Sequence, residues 1–487
     1  MKKHFKTLIS LLLVVLLNCG LVFVLSGCRI STDENGLVYN PINKGKEYEV
    51  YAGSNFNVNY TEVVIPETHK GKPVTKIVSH GFLNLFNLSS DGLRVGQTDK
   101  IKSIHLPSTI KSIGDKAFYG CDLEKITADT GKYKSDNNCI IEVSTNTLVL
   151  GIKNSVIPEY VESIDANAFL GCAGLESIEI PSSVTYIGNK AFYETGIWNN
   201  TPDNSVVYAD KWVVGYKGNP EKTVSFQSGT VGIANFAFYS NDFIEKIVMP
   251  DTIVYINDGA FYNCNAVKEV LMSSSIKYIG KNAFAHFGEI ENIVLPSSII
   301  SIGEGAFSQS FKLKNFTLPS SVTSIGDGIL AGCRSLESIN VDEGNSVYKS
   351  DGNCIIEIAS NKLISGCKNS VIPPYITEIG DYAFYQITHF TSIEIPSSVI
   401  SIGNFAFFNC AYLENVTIPT SVKSIGSNAF AHCSLGSIII PISVTTLGED
   451  AFNNSHITIY VEATSKPKNW SDNWNKSNCP VVWGYSK

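Results

Sequence analysis

The cysteines are the side chains of this sequence best suited to chemistry, because a thiol can act as a nucleophile, bind a metal or form a disulfide. The 487 residues contain 12 of them. Six of them occupy the same position of a sequence repeat. Other copies of that repeat have Thr195, Asn241 or Ser310 there, which indicates a small packing position. We therefore predict structural free thiols. Six cysteines share this position, three residues after a phenylalanine or leucine: Cys121, Cys172, Cys264, Cys333, Cys410 and Cys433.

Two cysteine pairs leave a disulfide open as an alternative. Cys410 and Cys433 fall in consecutive repeats, although parallel Cβ directions disfavour a bond between them. Cys354 and Cys367 could pair across a predicted hairpin. Its near-copy earlier in the chain lacks the second cysteine, so the hairpin does not need the bridge.

Metal binding and catalysis find little support in the remaining polar residues. The eight histidines are scattered, without the spacing that brings metal ligands together. Residues 342–353 are rich in Asp, Asn and Gly, and we interpret them as a turn rather than a calcium loop. No nucleophile elbow, zinc-protease motif or phosphate loop occurs. We predict no catalytic residue, no metal, no cofactor and no enzymatic activity.

Five aromatic residues are candidates for ligand binding. Tyr186, Tyr255 and Tyr278 precede isoleucines at equivalent positions of the repeat and would form a row. Trp198 and Trp212 lie in or beside a predicted hairpin. Exposed rings could contact protein or glycan, whereas the alternative is that each tryptophan packs on the coil below it.

The N-terminus has the features of an export signal. A basic start is followed by a nearly continuous apolar stretch at 7–25 and then by Ser26-Gly27-Cys28. This ending resembles the lipobox of bacterial lipoproteins, which implies that Cys28 is diacylated and becomes the first mature residue. The alternative is a transmembrane anchor, since the apolar stretch is long enough to span a bilayer.

The formal net charge of −8 argues against nucleic acid as a partner. Affinity for nucleic acid depends on clustered basic residues that contact phosphates, and no Lys or Arg stripe is visible.

A repeat of about 23 residues organises most of the chain. It is marked by an aromatic anchor that follows alanine and recurs at this spacing or near multiples of it. Leu330 occupies the same position in one repeat. The anchors are Phe118, Phe169, Phe192, Phe238, Phe261, Phe284, Phe307, Phe384, Phe407, Phe430 and Phe452.

Each repeat predicts two extended segments and a short helical turn. The first segment alternates apolar and polar residues and ends at proline, as in Ile178-Glu-Ile180-Pro181. Its outward positions carry Glu and Lys, which we interpret as a solvated face. The second, as in Val184-Thr-Tyr-Ile187-Gly188, ends at a Gly, Asn or Asp, residues that can take positive φ. Three insertions with an apolar–turn–apolar pattern predict β-hairpins.

The unit Leu-x-x-Ile-x-Ile-Pro-x-Ser-Val-x-x-Ile-Gly-x-x-Ala-Phe-x-x-Cys resembles the BspA-type leucine-rich repeat of bacterial surface proteins. The match covers roughly residues 61–460. It implies a repeat solenoid, β-rich, with short helical turns, hairpin insertions and terminal caps. The expected organisation is a signal peptide at 1–27, a linker at 28–36, a β cap at 37–60, a solenoid at 61–456 with hairpins near 131–158, 203–220 and 346–373, and a tryptophan-rich cap at 457–487.

The resemblance implies adhesion or ligand binding by a surface rather than by fixed catalytic residues. We expect a monomeric, lipid-anchored protein on the extracellular face of the cell membrane. Its partner would be an extracellular protein or glycan, on a host surface or in the matrix. Capture of a solute or glycan, or a structural role as an envelope spacer, are the alternatives.

Overall fold

A computed structural model of the chain describes residues 30–53, 56, 60–82, 100–453 and 457–486. The chain divides into two compact units, Met1–Cys121 and Asp122–Lys487.

The described part of the first unit is built mainly of strands. Strands β2 (Leu37–Ile42) and β3 (Glu47–Ala52) pair antiparallel over six residues each. On its other side β3 pairs parallel with β6 (Lys72–Ile77), which pairs parallel with β8 (Ser112–Ile113). Inward residues such as Leu37, Val50 and Ile77 are buried and form the core of this unit. Its elements are β1 (Ser31–Thr32), β2 (Leu37–Ile42), a 3₁₀ turn (Asn43–Gly45), β3 (Glu47–Ala52), β4 (Glu62–Val64), β5 (Thr68–His69), β6 (Lys72–Ile77), β7 (Ser103–Leu106) and β8 (Ser112–Ile113).

The second unit consists of short strands joined by tight turns, with one short helix among its described residues. Its first half contains β9 (Lys125–Ala128), β10 (Tyr133–Asp136), β11 (Cys139–Glu142), β12 (Thr147–Gly151), β13 (Ser163–Ile164), β14 (Tyr186–Ile187), α1 (Gly196–Asn200), β15 (Ser205–Ala209), β16 (Trp212–Lys217), β17 (Thr223–Ser225), β18 (Gly232–Ile233), β19 (Lys246–Val248), β20 (Tyr255–Ile256), β21 (Glu269–Leu271), β22 (Tyr278–Ile279) and β23 (Ser301–Ile302).

The same architecture continues to the end of the described chain. The elements there are β24 (Asn315–Leu318), β25 (Ser324–Ile325), β26 (Ser338–Val341), β27 (Tyr348–Asp351), β28 (Cys354–Glu357), β29 (Lys362–Gly366), β30 (Glu378–Ile379), β31 (Ser392–Ile393), β32 (Ser401–Ile402), β33 (Asn415–Val416), β34 (Ser424–Ile425), β35 (Ser437–Ile440), β36 (Thr446–Leu447), β37 (Thr458–Val461), β38 (Asn469–Trp470) and β39 (Val481–Trp483).

These strands stack in parallel ladders, as the predicted solenoid requires. Ile256 pairs with Ile279, which pairs with Ile302, so successive partners lie one 23-residue repeat apart. The anchor phenylalanines stack inside, with Phe261 5.1 Å from Phe238 and 5.6 Å from Phe284 between ring centroids. Each coil therefore buries its apolar side chains against identical neighbours, which is the basis of stability in repeat proteins. The predicted β-rich solenoid is confirmed.

The glycine that ends the second strand of each repeat has a different role from the one predicted. The φ of Gly280 lies outside the left-handed region, so the expectation of positive φ is wrong there. A Cβ atom at Gly280 would lie 2.5 Å from the backbone nitrogen of Asp258 in the preceding coil. Glycine is needed because two backbones approach closely.

Left-handed backbone occurs instead on both sides of the anchor. Around Phe284, the residues two before and two after it, Asn282 and His286, have φ of 52° and 63°. Turn hydrogen bonds link residues three apart, such as Ala285 N–H to Asn282 O at 3.2 Å. Two left-handed residues per turn prevent an α-helix from propagating, so the turns stay tight.

Antiparallel hairpins interrupt the ladder of second strands. Strands β10, β11 and β12 form one meander, β15 and β16 a hairpin, and β27, β28 and β29 another meander. The last strand of each insertion then starts a new parallel ladder of second strands. The three ladders begin at β12, β16 and β29 and end at β14, β25 and β38, respectively.

Buried polar side chains close the ends of these ladders. The Asn257 side chain accepts a hydrogen bond from Ile187 N–H at 2.9 Å and donates to Thr185 O at 3.1 Å. It thus replaces the backbone N–H and C=O groups that a neighbouring strand would supply. At the next break, Ile325 N–H donates to the Tyr348 hydroxyl at 3.1 Å. Both arrangements satisfy backbone groups that would otherwise be left unpaired.

Candidate functional site

Three of the predicted aromatic residues form one stack on the second-strand ladder. Trp212 lies 5.9 Å from Tyr255, which lies 5.5 Å from Tyr278, all nearly parallel. Trp212 covers Gly232, where a Cβ would lie 2.3 Å from the indole. The Trp212 side chain is only 2% exposed, whereas that of Tyr278 is 43% exposed. Trp212 therefore packs within the solenoid and offers little surface to a ligand.

The other two predicted residues lie elsewhere. The Tyr186 hydroxyl accepts a hydrogen bond from Asn235, and burial raises the pKa of Tyr186 to about 12. Trp198, in α1, contacts Tyr193 edge-on with 4.8 Å between centroids. The structure thus does not bring the five aromatics into one site. Ligand binding at them stays a prediction, and Cys28 lies outside the described residues.

The charged face formed by the first strands is largely self-neutralised. Lys268 pairs with Glu245 at 2.8 Å and Lys246 with Glu269 at 2.7 Å, each across neighbouring coils. Hydrogen bonds from Lys222 and Lys268 lower the pKa of Glu245 to about 2. Exposed pairs of this kind add little stability. Because these Glu and Lys side chains neutralise one another, they favour the interpretation of a solvated face.

A row of aromatic side chains on the anchor turns is the most distinctive surface feature of the second unit. The rings occupy positions two before, one after or two after an anchor. Tyr239 stacks on Tyr262 at 5.7 Å, and Tyr382 on Phe405 at 5.1 Å. We call this row the aromatic stripe; it consists of Phe236, Tyr239, Tyr262, His286, Tyr382, Tyr385, Phe405, Phe408 and His432.

Three rings of the aromatic stripe sit on left-handed backbone. Phe236, Tyr382 and Phe405 have φ of 54°, 58° and 54°. Equivalent positions in other coils hold Gly259 or Asn282, which tolerate this conformation. A bulky residue there costs roughly 1–2 kcal/mol. The same conformation recurs at Lys190, with a φ of 58°, so the strain belongs to the turn, and the stacked rings are what mark the stripe as a functional candidate.

Sequence reasoning missed the aromatic stripe, although a signal for it exists. His286 and His432 fall two residues after their anchors, a shared position that their wide separation in the sequence conceals. Aligning the aromatics by distance from the anchor would have placed all nine rings on one face. The spacing along the sequence alone hides this, because hairpins separate the coils.

At one end of the stripe an open cleft of about 480 Å³ lies between α1, β16 and the turn 235–243. We call it the aromatic cleft. Trp198 lies close against Gly215, where a Cβ would be 2.5 Å from the indole. Phe236, Tyr239 and Phe243 line the opposite side and are 37%, 56% and 59% exposed.

The repeated cysteines act as buried hydrogen-bond donors. The thiols of Cys264 and Cys333 donate to the carbonyls of Phe238 and Phe307 in the preceding coils, both at 3.2 Å. Cys410 and Cys433 donate to Phe384 and Phe407 in the same way. Thr195, at the same position, donates instead to the Phe192 carbonyl of its own turn at 2.8 Å, since a hydroxyl is also a donor.

We expect the thiols of Cys264 and Cys333 to resist iodoacetamide at pH 8 while the chain is folded. Burial raises the pKa of both to about 12, so on the order of one thiol in ten thousand is ionised at that pH. Mass spectrometry should show rapid alkylation in urea and almost none without it. Equal rates would contradict the buried-donor role.

Because the pKa of these thiols is higher in the folded chain than in the unfolded chain, the stability of the fold decreases at high pH. The unfolded chain loses these protons first as the pH rises through about 9, whereas the folded chain retains them. The stabilisation is therefore complete below pH 9 and declines from there towards pH 12.

No helix in the described ranges has the length and apolar character needed to cross a bilayer. Across the same residues, no group of three or more His, Cys, Asp or Glu side chains is arranged to hold a metal ion.

Comparison with known proteins matches a family model described as a BspA-type leucine-rich repeat region, at 96–151, 148–219, 231–356 and 353–459. A leucine-rich cell surface protein from Faecalibacterium prausnitzii is 20% identical over 95% of this chain and 100% of its own, with a TM-score of 0.36. The pneumococcal vaccine antigen PcpA is 18% identical over 94% of this chain and 85% of its own, with a TM-score of 0.39. No curated protein sequence matches the chain.

Proposed function

Because the chain belongs to the BspA-type leucine-rich repeat family, a family of bacterial surface proteins, we propose that it is a lipid-anchored surface protein that binds an extracellular protein or glycan. Solenoids of this class typically serve as binding scaffolds without catalysis. The ligand would lie on a host surface or in the matrix. The protein would act as a monomer on the extracellular face of the cell membrane, attached through Cys28.

The aromatic stripe is the observation that carries this proposal. Aromatic side chains are enriched in protein interfaces, where a few of them supply most of the binding energy. Here rings from adjacent coils stack on one another, as Tyr385 does on Phe408 at 5.1 Å. Their positions are fixed by the ladder of coils behind them. A rigid array of similar contacts can bind tightly even when each contact is weak.

We expect the double substitution Tyr385→Ser and Phe408→Ser to weaken binding of the protein to host cells or matrix proteins by roughly 10–100-fold. Loss of a central aromatic contact costs on the order of 2 kcal/mol or more. Binding would be measured by biolayer interferometry and by attachment of coated beads to epithelial cells. Circular dichroism would establish that the variant remains folded.

Tyr412→Ser is the matched control, because Tyr412 is an aromatic residue of the same unit that is 62% exposed and lies outside the stripe. It should leave binding unchanged. Full binding by the double variant would exclude the stripe as the binding surface. A wild-type protein that binds no cell or matrix component would support the envelope-spacer alternative.

A further inference from the structure

We propose that the aromatic cleft is a binding site for a neutral carbohydrate. The inference rests on the proposed function and names the ligand class for one part of the surface. It would give the protein a defined sugar subsite at one end of the aromatic stripe.

The rings of the cleft are suited to the C–H faces of a sugar. Trp198 forms one wall, while Tyr239 and Phe243 on the other side have more than half of their surface exposed. The face of an aromatic ring carries partial negative charge, so the weakly polarised C–H groups of a pyranose ring stack on it favourably. The volume of about 480 Å³ lies within the range of roughly 300–1,000 Å³ found for small-molecule sites.

Carboxamides supply the polar contacts that sugar hydroxyls need. Asn189, Asn219, Asn235 and Asn241 all line the cleft. An amide both donates and accepts, as a hydroxyl does. Such groups select a polyhydroxylated ligand over a purely apolar one.

One of these amides has an unfilled hydrogen-bond position. Asn235 donates through Nδ2 to the Tyr186 hydroxyl, but its buried Oδ1 has no partner among the described residues. A buried acceptor left unpaired costs about 1–3 kcal/mol. Oδ1 itself is enclosed by protein, so a ligand would contact Asn235 only after its carboxamide rotates.

Charge also favours a neutral ligand. Of the described residues that line the cleft, Lys190 alone is charged, and its Nζ lies 5.6 Å from the centre of the Tyr193 ring. Anion sites usually combine several basic groups. A single lysine beside an aromatic ring does not supply that set.

The walls of the cleft are held in place before any ligand arrives. Thr195 caps α1 by accepting a hydrogen bond from Trp198 N–H at 3.2 Å. Lys217 of β16 donates to Thr201 O at 2.8 Å and to Asn199 O at 3.3 Å, which ties the hairpin to the end of α1. Such preorganisation reduces the entropy lost on binding.

The test is titration of the full-length protein with neutral oligosaccharides of glucose, galactose, mannose and N-acetylglucosamine, with sialyllactose as the charged counterpart. Intrinsic tryptophan fluorescence, to which Trp198 contributes, and calorimetry would report binding. We expect at least one neutral oligosaccharide to bind saturably at millimolar concentration or below.

Tyr239→Ala and Phe243→Ala should each weaken that binding by roughly tenfold, since each removes a stacking surface. Both side chains are exposed, so neither variant should affect folding.

Tyr412→Ala is the matched control, because Tyr412 is comparably exposed, at 62%, but lies outside both the cleft and the aromatic stripe. It should bind sugar like the wild type. Absence of binding by every neutral oligosaccharide, preference for sialyllactose, or binding unchanged in the Tyr239→Ala and Phe243→Ala variants would each overturn the inference. Loss of protein binding alone in these two variants would assign the cleft to a protein partner.

Soluble sugars separate this inference from the proposed function. Cell binding that persists without any sugar binding would refute the carbohydrate site and leave the adhesion proposal standing. Sugar binding in a protein that attaches to no cell or matrix component would support the carbohydrate site and refute the adhesion proposal. Glycoproteins before and after enzymatic removal of their glycans would distinguish a displayed glycan from a free sugar.

Discussion

Replacing Phe261 with alanine is expected to lower the free energy of unfolding by about 3–5 kcal/mol, the cost of removing a fully buried aromatic ring. Phe261 is 0% exposed and stacks on Phe238 and Phe284 of the adjacent coils. The cavity would open between three consecutive coils. Because each coil is stabilised mainly by its neighbours, the loss should also make urea unfolding less cooperative.

Urea denaturation followed by circular dichroism would measure this effect. Phe243→Ala is the matched control, since the same side chain is removed at a position that is 59% exposed. The control should change the unfolding free energy by no more than about 0.5 kcal/mol. Similar losses in the two variants would show that the stack of anchor rings is not the main source of stability.

Asn345→Ala is expected to destabilise the second unit by about 2–4 kcal/mol through lost hydrogen bonds. The buried Asn345 side chain uses all four of its hydrogen-bonding positions. Nδ2 donates to the carbonyls of Pro319 and Val322, both at 3.0 Å. Oδ1 accepts from Val347 N–H at 2.9 Å and from Tyr348 N–H at 2.8 Å. These bonds position Tyr348, whose hydroxyl accepts from Ile325 N–H at the end of the ladder.

Asn345→Asp is a sharper version of the same experiment, because it keeps the shape and the acceptors but loses both donors at neutral pH. It should be nearly as destabilising as Asn345→Ala. Asn340→Ala, at an exposed position of β26, is the control and should have little effect. Thermal unfolding curves would rank the three variants. Stability equal to wild type in Asn345→Asp would contradict the assigned donor contacts.

Most of the repeat architecture could be predicted from local pattern. The 23-residue spacing of anchors such as Phe238, Phe261 and Phe284 predicted a stack of equivalent coils, and the structure and family match confirm it. This succeeded because each coil contacts chiefly its neighbours, so a regular sequence spacing becomes a regular spatial register.

The candidate site was much less predictable. For Trp212 the sequence left open an exposed ring or a packed one, and the structure packs it over Gly232 and against Tyr255. Its environment depends on a glycine that falls 20 positions later in the sequence. The aromatic stripe was missed for a related reason: Tyr262 and Tyr382 lie on the same series of turns although a hairpin separates them in sequence.

The sequence by itself determined the length of the coil, the identity of the buried anchor and the small side chain three residues after the anchor. These features are set by contacts that recur from repeat to repeat. Only the tertiary structure decided how the ladders end at Asn257 and Tyr348, why Gly280 must lack a side chain, and which aromatics share a cleft. Those features depend on distances between backbones of different coils and on hairpins that shift the register. A one-dimensional period contains no information about such distances, so folding of the chain is what brings these residues together.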